Sequence, residues 1–210
     1  DKKILITAGP TREAIDPVRF ISNYSSGKMG YELARMASYR GADVTLVSGP
    51  TQLEKPLGVN LVNVKTAAEM NEAVLSRSKE QDIIIKAAAV SDLKPKKYNK
   101  NKLKKKDNDI TSIEVESTPD ILAELGKNKP EDQILVGFAA ESEYLIKNSL
   151  KKLKDKNLDM IIANDITRDD AGFQSDKNEV EILTKNTQKS LTLMEKIEIA
   201  DTILDNLKNL

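Results

Sequence analysis

Gly27-Lys28-Met29-Gly30, entered through Asn23-Tyr24-Ser25-Ser26, is the first stretch of this chain whose residue types and spacing point to chemistry. Two glycines so placed, opening an amphipathic run from Tyr31 to Tyr39, suit a turn that aims backbone N–H groups at an anion. Ser25, Ser26, Gly27 and Lys28 are read as a phosphate-binding loop. A short apolar run, 4–8, precedes them. In between lie Thr11-Arg12-Glu13, Asp16-Pro17-Val18-Arg19 and Asn23. That loop is too long for a dinucleotide fingerprint. Its excess of polar groups suggests a site that does chemistry near a phosphate.

A second feature is basic. Residues 94–106 hold eight lysines in thirteen positions. The plain reading is a solvated, mobile surface loop; the sharper one is a lid that folds over a polyphosphate. Ligands of open α/β sheets bind beyond the carboxyl ends of the strands. The lysine run leaves the carboxyl end of an apolar run at 83–90, and the loop holding Arg12, Arg19 and Asn23 leaves that of 4–8. If both runs are parallel strands, both loops reach one edge, which favours the lid. Asp92, Glu141, Asn164 and Asp165 also follow apolar runs. Each alone reads as a turn former; together at one edge they favour a nucleotide pocket.

Two motifs are decoys. Tyr98-x-x-x-Lys102 has the Tyr/Lys spacing of short-chain dehydrogenases, but it lies in a lysine-rich loop, and the first turn, Gly9-Pro10-Thr11, lacks the glycine fingerprint. Gly27-Lys28-Met29 resembles the end of a P-loop, yet Met stands where Ser or Thr would hold magnesium.

The elements that must position these residues follow from periodicity. Apolar, β-rich runs fall at 4–8, 43–47, 61–64, 83–90, 110–115, 134–139, 160–163, 180–183 and 191–193. Amphipathic runs fall at 30–40, 67–78, 119–126, 145–156 and 195–207. The alternation predicts an α/β fold, a Rossmann-like, mostly parallel sheet with helices on both faces. The last two strands read as an antiparallel hairpin. With 210 residues, 39% hydrophobic and 31% charged, the chain reads as one soluble domain over 1–210.

Composition narrows the chemistry. There is no cysteine and no histidine. Thiolate catalysis and imidazole bases are excluded, and catalysis must run on Lys, Arg, Asp, Glu, Asn, Ser, a hydrated metal or backbone dipoles. Formal charge is zero, so no global field draws the chain to nucleic acid or a membrane surface. No apolar run approaches the roughly 20 residues of a membrane span, and no signal peptide is visible. A cytoplasmic location is expected. The first residue is Asp1, which suggests a piece of something longer.

The long first motif closely resembles the phosphopantothenoylcysteine synthetase family, the phosphopantothenate–cysteine ligases of coenzyme A biosynthesis. It runs from Ile6-Thr7-Ala8-Gly9-Pro10-Thr11-Arg12-Glu13 through Asp16-Pro17-Val18-Arg19-Phe20-Ile21-Ser22-Asn23 to Ser25-Ser26-Gly27-Lys28-Met29-Gly30. Val47-Ser48-Gly49-Pro50, Ala88-Ala89-Val90-x-Asp92, Lys102-Leu103-Lys104-Lys105, Pro119-Asp120-Ile121, Val136-Gly137-Phe138-Ala139-Ala140-Glu141 and Gly172-Phe173-x-Ser175-Asp176-x-Asn178 extend it over essentially the whole chain. The resemblance is to the form that is normally the carboxy-terminal half of a bifunctional protein. The amino-terminal half, absent here, is a decarboxylase that carries FMN.

The resemblance implies a reaction. CTP, with magnesium, activates the carboxylate of 4′-phosphopantothenate as an acyl-cytidylate, and cysteine then forms the amide. No protein nucleophile is needed. Carried over by position, Asn23 is associated with the acyl-cytidylate and its conversion, Arg19 belongs to the same motif, and Lys102 is the mobile-loop lysine. Lys100 and Lys104 stay open for that part. The nucleotide site maps onto Ala88, Asp92, Lys102, Pro119, Asp120, Ile121, Leu122, Phe138, Lys152 and Lys156. Lys152 and Lys156 share a helix face and are expected to point at one anion. Position 86 is Lys where some relatives carry glycine; a backbone contact survives that change if the side chain points elsewhere. The metal ligands are unassigned. The family is dimeric, and the run 110–115 is expected to pair as an edge strand. An NAD(P)-dependent oxidoreductase and a non-catalytic nucleotide-binding partner module are the alternatives.

Overall fold

The computed structural model describes residues 2–103, 112–165, 174–208 and 210. Its frame is an eight-stranded sheet. Six strands are parallel: β1 (Lys3–Ala8), β4 (Asp43–Ser48), β5 (Val59–Asn63), β6 (Ile83–Lys86), β9 (Ile134–Glu141) and β10 (Met160–Asp165). β11 (Lys177–Thr184) and β12 (Gln188–Glu195) add an antiparallel hairpin at one end. The order is β12-β11-β10-β9-β6-β1-β4-β5. From β1 the chain winds one way through β4 and β5, then returns to place β6 on the other side of β1. The crevice between the carboxyl ends of β1 and β6 is thus the topological switch point, where open α/β sheets bind ligands.

Period-two alternation fills both faces. Ile4, Ile6, Ile83, Ile85 and Val136 pack on one side with residues of α1 (Lys28–Tyr39) and α5 (Lys196–Leu207). Leu5, Ile84, Leu135 and Ile161 pack on the other with α2 (Ala67–Ser78), α3 (Ile121–Asn128) and α4 (Leu145–Asp155). Two-sided burial is why the parallel strands read as continuous apolar runs. No helix among the described residues is long and apolar enough to cross a membrane.

The predicted architecture is the observed one, with shifts at strand ends. The run 83–90 splits: β6 stops at Lys86, and residues beyond it turn across the sheet edge. Pro119 and Asp120 precede α3 rather than belong to it, because the Asp120 carboxylate accepts from the Ala123 N–H at 3.0 Å as its N-cap. The expected edge strand at 110–115 is partly outside the described residues. Its described remainder leads to β8 (Val115–Ser117), which pairs antiparallel with β7 (Leu93–Pro95) as a short ribbon. The residues that open the lysine run are therefore paired with a strand that follows it.

Much of the polar excess between β1 and α1 is structural. It folds as a small hairpin, β2 (Glu13–Ala14) with β3 (Phe20–Ile21). Buried Glu13 accepts from the Ala67 N–H at 2.7 Å and so serves the start of α2. Arg12 lies over the Phe20 ring, 4.8 Å from its centroid.

Candidate functional site

A cleft of about 340 Å³ opens at the switch point. One wall is the start of α1. Gly27 caps it at φ 82°, a left-handed geometry that glycine adopts without strain, and no side chain caps the helix. Gly30 lets α1 close on β1: a Cβ there would lie 2.6 Å from Ala8 Cβ and 2.9 Å from the Thr7 carbonyl oxygen. The first turn of α1 is thereby pressed against the sheet, and Ser25, Ser26, Gly27 and Lys28 line the cleft at its start, where the Gly27 and Lys28 N–H groups donate to the Ser25 and Ser26 hydroxyls at 3.3 and 3.5 Å.

The floor is the segment after β6, and it is stapled down. Thr7 Oγ1 accepts from the Ala88 N–H at 3.0 Å, and Thr11 Oγ1 accepts from the Ser91 N–H at 2.9 Å. Asn23 Nδ2 donates to the Ala89 carbonyl at 2.6 Å. Thr118 Oγ1 donates to the Ser91 carbonyl at 2.6 Å. Asp92, Pro119, Asp120, Ile121, Leu122 and Phe138 close the far side. The Ala88 N–H is thereby occupied.

The cations are mostly paired. Lys156 meets Asp120 at 2.7 Å, and Lys152 meets Glu141 at 3.4 Å. Both line the cleft on one side of α4 as expected, and each rests on its own carboxylate. Lys28 meets Asp176 at 2.6 Å. Buried Lys196 donates to the Ser175 carbonyl at 2.5 Å. Burial, then the neighbouring Lys28 charge, holds the Lys196 ammonium down to about 8 against the pull of Asp176. Burial raises the Asp120 carboxyl, but Lys156, the Ala123 N–H and Lys86 outweigh it and keep it below the usual range.

Three predicted residues lie off this cleft. Asn23 faces an adjoining cavity that shares Ser25, Ser26 and Lys28 as its wall. Arg19 pairs with buried Asp16 at 2.8 Å and donates to the Leu103 carbonyl at 2.5 Å. Burial pushes the Asp16 carboxyl up, but three backbone N–H groups, of Val18, Leu103 and Arg19, and the Arg19 charge bring it to about 2. Arg19 thus clamps the lysine run at Leu103, and this contact gives it a positioning part. Lys102 is exposed and lines no described cavity. Lys100 is exposed as well, and Lys104 lies outside the described residues.

The whole chain, residues 1–210, matches the family described as DNA/pantothenate metabolism flavoprotein C-terminal domain. It belongs to that family. It is 50% identical over 208 residues, 98% of this chain, to the coenzyme A biosynthesis bifunctional protein CoaBC of Bacillus subtilis. It is 46% identical over 204 residues, 97% of this chain, to the protein of that name from Vibrio cholerae. It spans about half the length of these curated relatives, 51% in each case. Among solved structures, the C-terminal domain of a CoaBC superposes with a TM-score of 0.84 at 45% identity, covering 98% of this chain and 93% of that one. The family resemblance read from the motifs stands.

Within this flavoprotein C-terminal-domain fold, the cleft gains residues that motif reading passed over. Lys196 enters because α5 packs beside α1, and a residue so distant in sequence carries no local signal. Asn178 also lines it, as does Asn164, which the sequence had already placed at this sheet edge. Lys86 is the clearest correction. Its side chain does not point elsewhere; it is 8% exposed and lines the cleft. A charge ending the run Ile83-Ile84-Ile85 was the available signal.

Proposed function

We propose that this chain joins 4′-phosphopantothenate to cysteine with CTP as co-substrate. The carboxylate attacks the α-phosphorus of CTP and pyrophosphate leaves, giving 4′-phosphopantothenoyl-cytidylate. The cysteine amino group then attacks the acyl carbon, forms the amide of 4′-phosphopantothenoylcysteine and expels CMP. One observation carries this reading: at the switch point the start of α1 shares one cleft with Phe138, Pro119 and Leu122. The relatives' names, which concern coenzyme A biosynthesis, support it.

The parts follow from position. The α1 start, with Lys28, holds phosphate oxygens through N–H dipoles and charge. Pro119–Leu122 and Phe138 sandwich the base, and Asp92 sits where a sugar hydroxyl would need an acceptor. Lys152 and Lys156 exchange their carboxylates for the nucleotide. Asn23 lies where loop and floor meet and orients the reacting acyl group. Lys102 approaches from the lysine run, which Arg19 anchors. Among the described residues no group of three or more acidic side chains could hold a metal. Magnesium carried by the triphosphate would supply charge neutralisation at phosphorus. FMN belongs to the decarboxylase half of the relatives' architecture and has no part in these steps.

The test is pyrophosphate release with CTP, 4′-phosphopantothenate and magnesium, with and without cysteine. Release without cysteine and amide only with it are the expected results; no release with any nucleotide sinks the reading. A homodimer accompanies it. Phe20, Leu93, Ile113 and Val115 are exposed apolar residues on or beside the two small ribbons, a surface suited to a second copy. Sedimentation at micromolar concentration should show a dimer; a fully active monomer excludes it.

A further inference from the structure

Lys86 ends β6 beneath the cleft, 8% exposed. Four other lysines line the cleft, and each has a hydrogen-bonding or ion-pair partner among the described residues. Lys86 has none within such distance. An ammonium at a cleft wall with no partner there offers up to three donors to an acceptor. Burial holds this ammonium down to about 8, with Asp120 and Asp92 pulling the other way and Lys156 and Lys152 adding to the drop.

The surroundings decide the kind of acceptor. Two carboxylates, Asp120 and Asp92, share the field of Lys86. A polyphosphate set against them would be repelled, and the cleft already offers the α1 start for phosphate. A neutral carbonyl suffers no such repulsion. Ala87 to Val90, Leu122 and Phe138 line the same cleft as Lys86 and give it apolar surface against which a base ring could lie.

We propose that the Lys86 ammonium contacts the nucleobase directly, donating a hydrogen bond to a ring carbonyl, and so favours a pyrimidine over adenine, which has none. This rests on the nucleotide-ligase reading above. The contact does not tell cytosine from uracil, since both carry a carbonyl between their ring nitrogens. That distinction is left to backbone groups.

The experiment is steady-state kinetics of Lys86→Met and Lys86→Gln with CTP and with ATP, on the whole chain. A lost hydrogen bond from a charged donor corresponds to a tenfold or greater change. KM for CTP should rise about tenfold or more with kcat within about twofold, while kcat/KM for ATP stays within about twofold. The wild-type kcat/KM for CTP should fall as pH passes about 8, and the variants should not show that step. If a folded variant keeps its CTP KM and its CTP preference, the inference is overturned and the ligase reading survives. If the wild type releases no pyrophosphate, the ligase reading fails. Calorimetric CTP binding then decides: tenfold weaker binding by Lys86→Met supports the contact, and equal binding overturns it.

Discussion

Asn23 and Ala89 are tied by a 2.6 Å hydrogen bond from the Asn23 amide to the Ala89 carbonyl. The link joins the loop after β1 to the loop after β6, across the switch point. The other end of the same amide accepts from the Ser25 N–H at 3.0 Å, which sets the approach to α1. One side chain therefore holds the α1 wall of the cleft and its floor in register.

Replacing Asn23 by Ala should spare pyrophosphate release and slow amide formation by about a hundredfold, as for loss of one oriented donor. The acyl-cytidylate should accumulate, and rapid quench with phosphorus NMR would detect it. Normal product formation by this variant would remove Asn23 from the reaction.

Lys102→Gln should lower pyrophosphate release by about a hundredfold. Lys96→Gln should do far less, because Lys96 is exposed and stands 3.9 Å from Glu114 in the ribbon, a weak surface pair. Equal losses at the two positions would mean that the lysine run contributes only diffuse charge.

Gly30→Ala tests the seat of α1. Its methyl group would meet the Ala8 Cβ at 2.6 Å and the Thr7 carbonyl oxygen at 2.9 Å, both on β1. Backbone and a core methyl cannot step aside, so stability should fall by about 1–3 kcal/mol, the usual cost of overpacking. Urea unfolding measures it; an unchanged midpoint would show that helix and strand can separate freely.

The Lys86 ammonium titrates at about 8 rather than 10.5, so the folded state binds its proton more weakly than the unfolded chain does. The penalty is fully present below about pH 8 and is relieved as pH rises from there toward 10.5. Lys86→Met should therefore be more stable than wild type at pH 6.5, by up to about 3 kcal/mol from the size of the shift. The gap should shrink by pH 10. Parallel urea titrations at the two pH values measure it, and a gap independent of pH would refute the buried-charge account.

Continuous apolar runs separated by amphipathic helices dictate a parallel sheet covered on both faces, and the sequence alone carries that much. The long polar motif before Gly27 and the absence of Cys and His pointed to a candidate site and to the kind of chemistry open to it. Local patterns reach that far because strand and helix periodicities, glycine turns and residue types are properties of short segments. What they could not decide is partnership. Glu13 and Asp16 looked like chemistry in the motif, yet they serve the α2 start and the Arg19 clamp. Lys152 and Lys156 looked free on their helix, yet Glu141 and Asp120 meet them from other elements. Lys86 looked like a charge to be turned away, yet the fold buries it against the cleft, and Lys196 arrives there from far along the chain. Which charges are paired and which are left for a ligand depends on contacts between distant elements, and the strand order at the switch point, with the packing of α5 beside α1, creates those contacts.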